Sequence, residues 1–197
     1  MKKEFFFSWA LLLTLITSCA KNFEVIEDLG NSSYNLIDQE GSERNFPAFV
    51  KNKIVVAGYI FTNCPDICPL TTNNMRLIQE RLNKDEVEGV QFVSVSFDPD
   101  NDTPEVLKNF ARIRNLDLSN WTFLTGAKPD IDKLMKQVGV LAVPGDSTVF
   151  PSGKVSYYYI HTDRIQLIDG EGKIRKNYTG SAISVDEIVD DIKSIAN

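Results

Sequence analysis

Two stretches of nearly unbroken apolar residues indicate an α/β protein built on buried strands. The first covers residues 53–61 and the second covers residues 90–97. Their length and β-branched content are typical of strands that are buried on both faces. A helical spacing of apolar residues follows each of them, at 70–82 and from Pro104 onward. This alternation predicts a largely parallel sheet with right-handed crossover connections.

The rest of the chain supplies shorter elements. Residues 140–159 are broken by Pro144-Gly145-Asp146 and Pro151-Ser152-Gly153, so we expect an inserted loop or an irregular hairpin there. The other expected elements are a hairpin at 34–38 and 45–49, a strand at 121–124, a helix at 129–138, a hairpin at 164–168 and 173–178, and a closing helix capped by Ser184. Together they predict an α/β, thioredoxin-like fold, with a central mixed β-sheet flanked by helices and an N-terminal β-hairpin.

Composition and charge narrow the class of protein. Hydrophobic residues make up 43% of the chain and charged residues 24%, which is typical of one globular domain and argues against disorder. The net charge of −6 gives no surface for binding phosphates, and the sequence has no basic stripe with interleaved aromatic residues. We therefore exclude nucleic acid as a partner.

The N-terminus carries the pattern of an export signal. Two lysines precede an apolar run from Phe5 to Ile16, which is shorter than the roughly 20 residues that span a bilayer as a helix. The run ends at Ile16-Thr17-Ser18-Cys19, which resembles the bacterial lipobox. We expect residues 1–18 to be a lipoprotein signal peptide and Cys19 to carry lipid. An ordinary signal peptide, with Cys19 as an incidental thiol, is the alternative.

These expectations set the domain organisation and the location. Residues 19–32 would form a tether after the lipidated cysteine, and residues 33–197 would form the folded domain. Multiple acyl chains hold a protein firmly to a membrane. We therefore expect a membrane-anchored lipoprotein of the bacterial cell envelope, with its domain outside the cytoplasm.

One short segment carries the candidate chemistry: Asn63-Cys64-Pro65-Asp66-Ile67-Cys68-Pro69, between the first buried strand and its helix. A proline after each cysteine disfavours the α region for Cys64 and Cys68, so we expect a compact loop with Pro69 as the first helical residue. Thiols beside a helix N-terminus have lowered pKa values, because free N–H groups and the dipole stabilise the thiolate. A reactive dithiol and a metal site both need such thiolates.

The spacing of the cysteines and the number of soft ligands decide in part between a reactive dithiol and a metal site. Three residues separate Cys64 from Cys68, whereas two separate the cysteines of the dithiol oxidoreductase signature. The single histidine, His161, is predicted at the start of the 164–168 strand, which faces the cysteine segment in a thioredoxin-like layout. Two thiolates and an imidazole suit copper(I), whereas structural zinc would need a fourth ligand. A plain structural disulfide remains an alternative.

Four segments resemble the Sco/SenC family, in the order expected. They are Phe61–Pro69, Ser96–Glu105, Trp121–Gly126 and His161-Thr162. The resemblance implies a membrane-tethered copper chaperone that assists assembly of the dinuclear copper centre of cytochrome c oxidase, with the copper-binding subunit of the oxidase as its partner. It further implies copper, as Cu(I) or also as Cu(II), on Cys64, Cys68 and His161, with Asp98 supporting the site.

The sequence also departs from that family and leaves functions open. Tyr158-Tyr159-Ile160 stands before the histidine, where a more polar, acidic segment is usual. Three functions fit the residues: a metallochaperone, a thiol–disulfide reductase that keeps the copper-site cysteines of the oxidase reduced, and a redox or copper sensor. Other copper carriers or thiol reductants would be further partners.

Overall fold

A computed structural model gives the structure of the chain and describes residues 23–153 and 155–196. The expected signal peptide at residues 1–18 and the expected lipidation site at Cys19 lie outside the described residues. Within the described ranges, no helix has both the length and the apolar character that crossing a membrane requires.

The described residues form four α-helices and ten strands. The helices are α1 (Ile67–Lys84), α2 (Pro104–Ile113), α3 (Lys128–Gln137) and α4 (Val185–Ala196). The strands are β1 (Glu27–Asp28), β2 (Tyr34–Asp38), β3 (Glu43–Phe46), β4 (Ile54–Ile60), β5 (Val90–Ser96), β6 (Trp121–Gly126), β7 (Ala142–Val149), β8 (Val155–His161), β9 (Ile165–Ile168) and β10 (Lys173–Tyr178).

Eight of these strands form one mixed sheet in the order β1-β10-β9-β4-β5-β6-β2-β3. β4, β5 and β6 run parallel, and antiparallel strands extend the sheet on both sides. Every residue of β4 and β5 is buried, as their unbroken apolar patterns predict. The predicted thioredoxin-like α/β fold, with its N-terminal hairpin of β2 and β3, is confirmed.

Helix α1 lies close against β4. A Cβ atom at Gly58 would be 2.5 Å from Sδ of Met75, so any larger residue would force the buried Met75 side chain to move. Met75, Ile78 and Leu82 form the buried face of α1, and α4 packs beside it over the same strand. This contact fixes the height of α1 above β4, and with it the segment that joins the two.

Two predictions near the N-terminus are corrected. Residues 27–29, which the sequence places in the tether, belong to the domain, because β1 pairs with β10 and Leu29 is fully buried. A two-residue strand is too short to show an alternating pattern. The second strand of the first hairpin ends at Phe46 rather than at residue 49, because Pro47 has no N–H to donate to the ladder.

Residues 140–159 fold as the irregular hairpin that was one of the two expectations. β7 and β8 pair as a separate antiparallel sheet, with a register shift between Pro144 and Ser147. Along β8, the half-buried Tyr157, Tyr159 and His161 alternate with exposed residues. One face of the hairpin therefore packs against the domain, and its other face is exposed.

Candidate metal centre

The cysteine segment joins the end of β4 to the start of α1. Asp66 caps the helix by accepting a hydrogen bond from the Ile67 N–H at 2.5 Å. Cys68 therefore lies in the first helical turn, and Cys64 lies in the loop before it. The sequence predicts Pro69 as the first helical residue, but it is the third, because α1 begins at Ile67. It removes no helical hydrogen bond there, because the N–H groups of the first turn have no intrahelical acceptor.

Both cysteines are free and buried. Cys64 is 8% exposed and Cys68 is 1% exposed, and they are not joined as a structural disulfide. Sγ of Cys64 accepts a hydrogen bond from the backbone N–H of Cys68 at 3.4 Å. The Cys64 sulfur therefore lies at the N-terminus of α1, where free N–H groups and the helix dipole favour a thiolate.

The third predicted ligand comes from the hairpin. His161 is the last residue of β8, not the start of the next strand as predicted, because β9 begins only after the break at 162–164. Its ring packs against Phe61 and Phe97, with centroid distances of 6.0 and 5.2 Å. Nδ1 lies 3.3 Å from the backbone oxygen of Thr162. Nε2 is then directed at Sγ of Cys68, at 4.0 Å.

The three side chains form one cluster. One ligand atom from each of Cys64, Cys68 and His161 lies within 4.8 Å of the other two. Metal–sulfur and metal–nitrogen bonds of about 2.0 to 2.3 Å place three ligands roughly 4 Å apart around one ion. The cluster therefore fits a single ion after small side-chain movements. In the described part of the chain, no other group of three His, Cys, Asp or Glu side chains has such spacing.

The hydrogen bonds of the cluster shift the pKa values of the two thiols in opposite directions. Hydrogen bonding to the Cys68 side chain lowers the pKa of Cys64 to about 4, and the His161 side chain adds to this effect. The same contact, together with burial, raises the pKa of Cys68. Hydrogen bonding to Cys64 raises the pKa of His161. At neutral pH the cluster thus holds a Cys64 thiolate and a Cys68 thiol. The raised pKa of His161 increases the fraction of its ring that is a charged imidazolium.

Asp98 lies outside the cluster. Its buried carboxylate accepts hydrogen bonds from the hydroxyls of Tyr157, at 2.6 Å, and Tyr159, at 3.2 Å. Burial and the nearby carboxylate raise the pKa of Tyr159 to about 12 and raise that of Tyr157 as well, so both phenols remain donors at neutral pH. Asp98 therefore contacts the strand that carries His161 and not the ligand atoms.

Sequence reasoning missed two carboxylates beside the site. The buried Asp102 accepts hydrogen bonds from the Thr62 N–H at 3.0 Å and the Thr62 hydroxyl at 2.5 Å, which fixes the start of the cysteine segment. Asp163 follows His161 and binds Thr71 and Ser181. In the sequence, Asp102 is part of an acidic run and Asp163 stands among other polar residues after the histidine, so neither pattern indicates these contacts. The alternation of Tyr157, Tyr159 and His161 was a usable signal for the inner face of β8.

Fold and site together define a class: a thioredoxin-like domain that presents two buried thiols and an imidazole, suited to soft metals and to thiol chemistry. A family model described as SCO1/SenC matches residues 26–197, and the chain belongs to this family. The resemblance seen in the four sequence segments is thereby confirmed. The Sco family consists of cytochrome c oxidase assembly proteins.

Individual relatives resemble the chain over most of its length. The SCO1 protein homolog of Bacillus subtilis is 30% identical over 186 residues, which cover 92% of each protein. The crystal structure of a SCO1/SenC family lipoprotein from Bacillus anthracis has a TM-score of 0.71 at 34% identity, covering 89% of this chain and 96% of the other. Bradyrhizobium japonicum ScoI with copper bound has a TM-score of 0.70 at 25% identity, covering 83% and 97%.

Proposed function

We propose that the protein is a copper metallochaperone that carries copper on Cys64, Cys68 and His161 and delivers it to the dinuclear copper centre of cytochrome c oxidase. The observation that carries the proposal is the cluster itself, two thiols and an imidazole with ligand atoms within 4.8 Å. The copper-bound ScoI structure and the role of the Sco family in oxidase assembly support it. Copper is the cargo of this protein, and the copper-binding subunit of the oxidase is its proposed acceptor.

The ligand set favours copper(I). Thiolates select soft ions, and three ligands complete a trigonal copper(I) site, whereas structural zinc requires four. Cys64 is already a thiolate at neutral pH. Cys68 would release its proton when the metal binds, because a metal ligand must be deprotonated. Loading therefore releases the proton of Cys68 and, where His161 is charged, the proton of its imidazolium as well, and unloading returns them.

The two regions that supply the ligands have different parts in transfer. Cys64 and Cys68 are held between β4 and α1, inside the core of the domain. His161 ends a hairpin strand and is half-buried, so it is the ligand that an acceptor side chain can replace first. Exchange would then pass through a copper ion held by the two cysteines and an incoming ligand.

Asp98 supports this site through the tyrosines of the hairpin. Its bonds to Tyr157 and Tyr159 hold the inner face of β8, and His161 with it, against Phe61. Tyr157→Phe removes the shorter bond and should weaken copper binding several-fold. Tyr158→Phe is the matched control, because Tyr158 lies on the exposed face of the same strand. Equal copper affinities of the two variants would show that Asp98 does not support the site.

A copper(I) competition titration tests the main proposal. The chain would begin at residue 19 and carry Cys19→Ser, which leaves all described residues intact. We expect one tight equivalent in the parent and loss of tight binding in Cys64→Ala and Cys68→Ala. In His161→Ala we expect a loss of at least about 10- to 100-fold, because removing a ligand should cost no less than removing a group that only orients one. Tight binding that does not depend on His161 would overturn the three-ligand site.

The low pKa of Cys64, about 4, favours a second candidate function, thiol–disulfide reduction. The Cys64 thiolate would attack a disulfide in the copper site of the oxidase and form a mixed disulfide, releasing the other oxidase sulfur as a thiolate. Cys68 would lose its proton and attack the Cys64 sulfur, which frees the second oxidase thiol. The two electrons thus leave a Cys64–Cys68 disulfide behind. His161→Ala separates the two functions, because it should impair copper binding and largely spare dithiol exchange.

The proposed location is the bacterial cell envelope, with the domain outside the cytoplasm and a lipid anchor on Cys19. The lipobox-like sequence supports it, as does the description of the Bacillus anthracis relative as a lipoprotein. In a fractionation experiment, Cys19→Ser should move the protein out of the membrane fraction. Unchanged membrane association of this variant would rule out the anchor.

A further inference from the structure

Asp163 lies two residues beyond His161, in the break between β8 and β9. Its carboxylate accepts hydrogen bonds from the Thr71 hydroxyl at 3.0 Å, from the Ser181 N–H at 2.9 Å and from the Ser181 hydroxyl at 2.6 Å. Thr71 belongs to α1, one turn after Cys68, and Ser181 lies in the loop before α4. The carboxylate thus joins three segments of the chain.

The loop that receives Asp163 is itself fixed. A Cβ atom at Gly180 would lie 2.5 Å from Oδ1 of Asp163 and 2.7 Å from Oγ1 of Thr71, so the loop approaches both groups closely. The Gly180 oxygen also accepts a hydrogen bond from the Asn74 side chain of α1, at 2.8 Å. This loop is therefore attached to α1 without Asp163, and Asp163 is bound to a rigid partner.

We infer that Asp163 is a positioning residue for the copper site: it fixes the chain just after His161 to the helix that carries Cys68. The inference rests on the proposed copper function. Two residues of extended chain span at most about 7 Å, so a fixed Asp163 confines the backbone of His161 to a small region. The hairpin that carries His161 forms its own sheet and takes no part in the main one. Asp163 thus supplies an attachment that backbone pairing does not.

A matched control exists elsewhere in the same domain. Asp169 also accepts three hydrogen bonds, from the N–H groups of Glu171 and Lys173 at 2.9 Å each and from Nε of Arg175 at 2.6 Å. It shapes the turn between β9 and β10 and is not part of the metal cluster. Asp169→Asn therefore reports what losing a structural carboxylate does to the domain in general.

The first measurement compares copper(I) affinity in four variants of the chain. Asp163→Asn replaces one acceptor oxygen by an amide donor and should weaken binding about tenfold, as is typical for groups that orient a ligand. Asp169→Asn should leave the affinity within about twofold, because it orients no ligand. In a His161→Ala background, Asp163→Asn should cause no further loss, because a residue that acts through His161 has no effect once His161 is gone. An equal further loss in that background would overturn the inference.

The second measurement needs no copper. The chain has a single histidine, so one imidazole Cε1–H signal in the NMR spectrum reports its position. In Asp163→Asn this signal should shift and lose its contacts to the rings of Phe61 and Phe97, whereas Asp169→Asn should leave it unchanged. Thr71→Val, which removes one donor without changing shape, should give a smaller shift in the same direction.

The two measurements keep the two proposals separate. A wild-type chain that does not bind copper, combined with a displaced imidazole in Asp163→Asn, would overturn the chaperone and support the positioning role. An imidazole signal that is unchanged in Asp163→Asn and Thr71→Val would overturn the positioning role, whatever the copper affinity. Thermal unfolding of each variant confirms that the comparison is made on folded protein.

Discussion

The cysteine pair and the histidine belong to regions of very different construction. Cys64 and Cys68 follow β4, whose seven residues are all buried in the eight-stranded sheet. His161 ends a two-stranded hairpin in which no residue of β7 is buried. Core packing therefore fixes the sulfurs, whereas the imidazole is held by ring contacts with Phe61 and Phe97 and, as we propose, through the side-chain contacts of Asp98 and Asp163. In a protein proposed to release copper, this difference would give two firmly held ligands, Cys64 and Cys68, and one, His161, that can be withdrawn first.

The largest expected contrast is in the free energy of unfolding. Ile78→Ala removes a fully buried side chain of α1 and should cost about 2 to 5 kcal/mol. Ile160→Ala truncates a side chain of β8 that is 57% exposed and should stay within about 0.5 kcal/mol of wild type. Urea unfolding of both variants under the same conditions measures the difference. Similar losses would show that the hairpin is as much part of the core as α1.

A smaller contrast is expected in local stability. Amides of β7 and β8 should exchange with solvent at least about tenfold faster than those of β4 and β5, because few buried contacts oppose opening of the hairpin. Hydrogen exchange of the copper-free protein measures this. Adding copper(I) should slow the exchange of β8, since His161 is then held by the metal. Equal protection in both regions of the copper-free protein would contradict the comparison.

The smallest expected effect is the pH dependence of the contact between the regions. The lowered pKa of Cys64 stabilises the fold above the pKa of an unfolded thiol, and this stabilisation is lost as the pH falls through about 4. The raised pKa of His161 acts oppositely: its stabilisation is complete below pH 6.5 and is lost as the pH rises through the folded pKa. The thiolate–imidazolium contact is therefore strongest between about pH 4, below which Cys64 is protonated, and the raised pKa of His161, above which the imidazole is neutral.

Alkylation of the copper-free protein checks this coupling. Reaction of Cys64 with iodoacetamide, followed by mass spectrometry from pH 3.5 to 8, should titrate near pH 4 in the wild type. His161→Ala should move that midpoint upward, yet not to the value of an ordinary thiol, because the hydrogen bond from Cys68 remains. An unchanged midpoint would show that the two regions are not coupled through charge.

The sequence predicted the first of the two regions better than the second. Strands buried on both faces, such as β4 and β5, appear as unbroken apolar runs, and this pattern does not depend on distant contacts. The sequence of the hairpin predicts either a loop or an irregular hairpin, because prolines and glycines interrupt it and because its exposed face also carries apolar side chains. The place of His161 at the end of β8 depends on pairing with β7, which the local pattern does not encode.

The contacts around the site were harder still to predict. The resemblance to a family assigned Asp98 a supporting role, but its actual partners are tyrosines about sixty positions later in the chain. The start of α1 was misplaced because Pro69 is normally favoured at the first helical position, yet the third position also lacks an intrahelical acceptor. Propensity rules leave such equivalent solutions open, and here the side chain of Asp66 selects one of them.

The alternation along β8 constrains how the hairpin can change in length. Odd-numbered positions from 157 to 161 face inward, so inserting one residue between Tyr159 and His161 would turn the imidazole to the exposed face. Inserting two would restore its direction and displace it by about 7 Å along the strand. The turn at 150–153 carries no such parity rule. Insertions and deletions among related proteins should therefore occur at the tip of the hairpin and be absent between Tyr157 and His161.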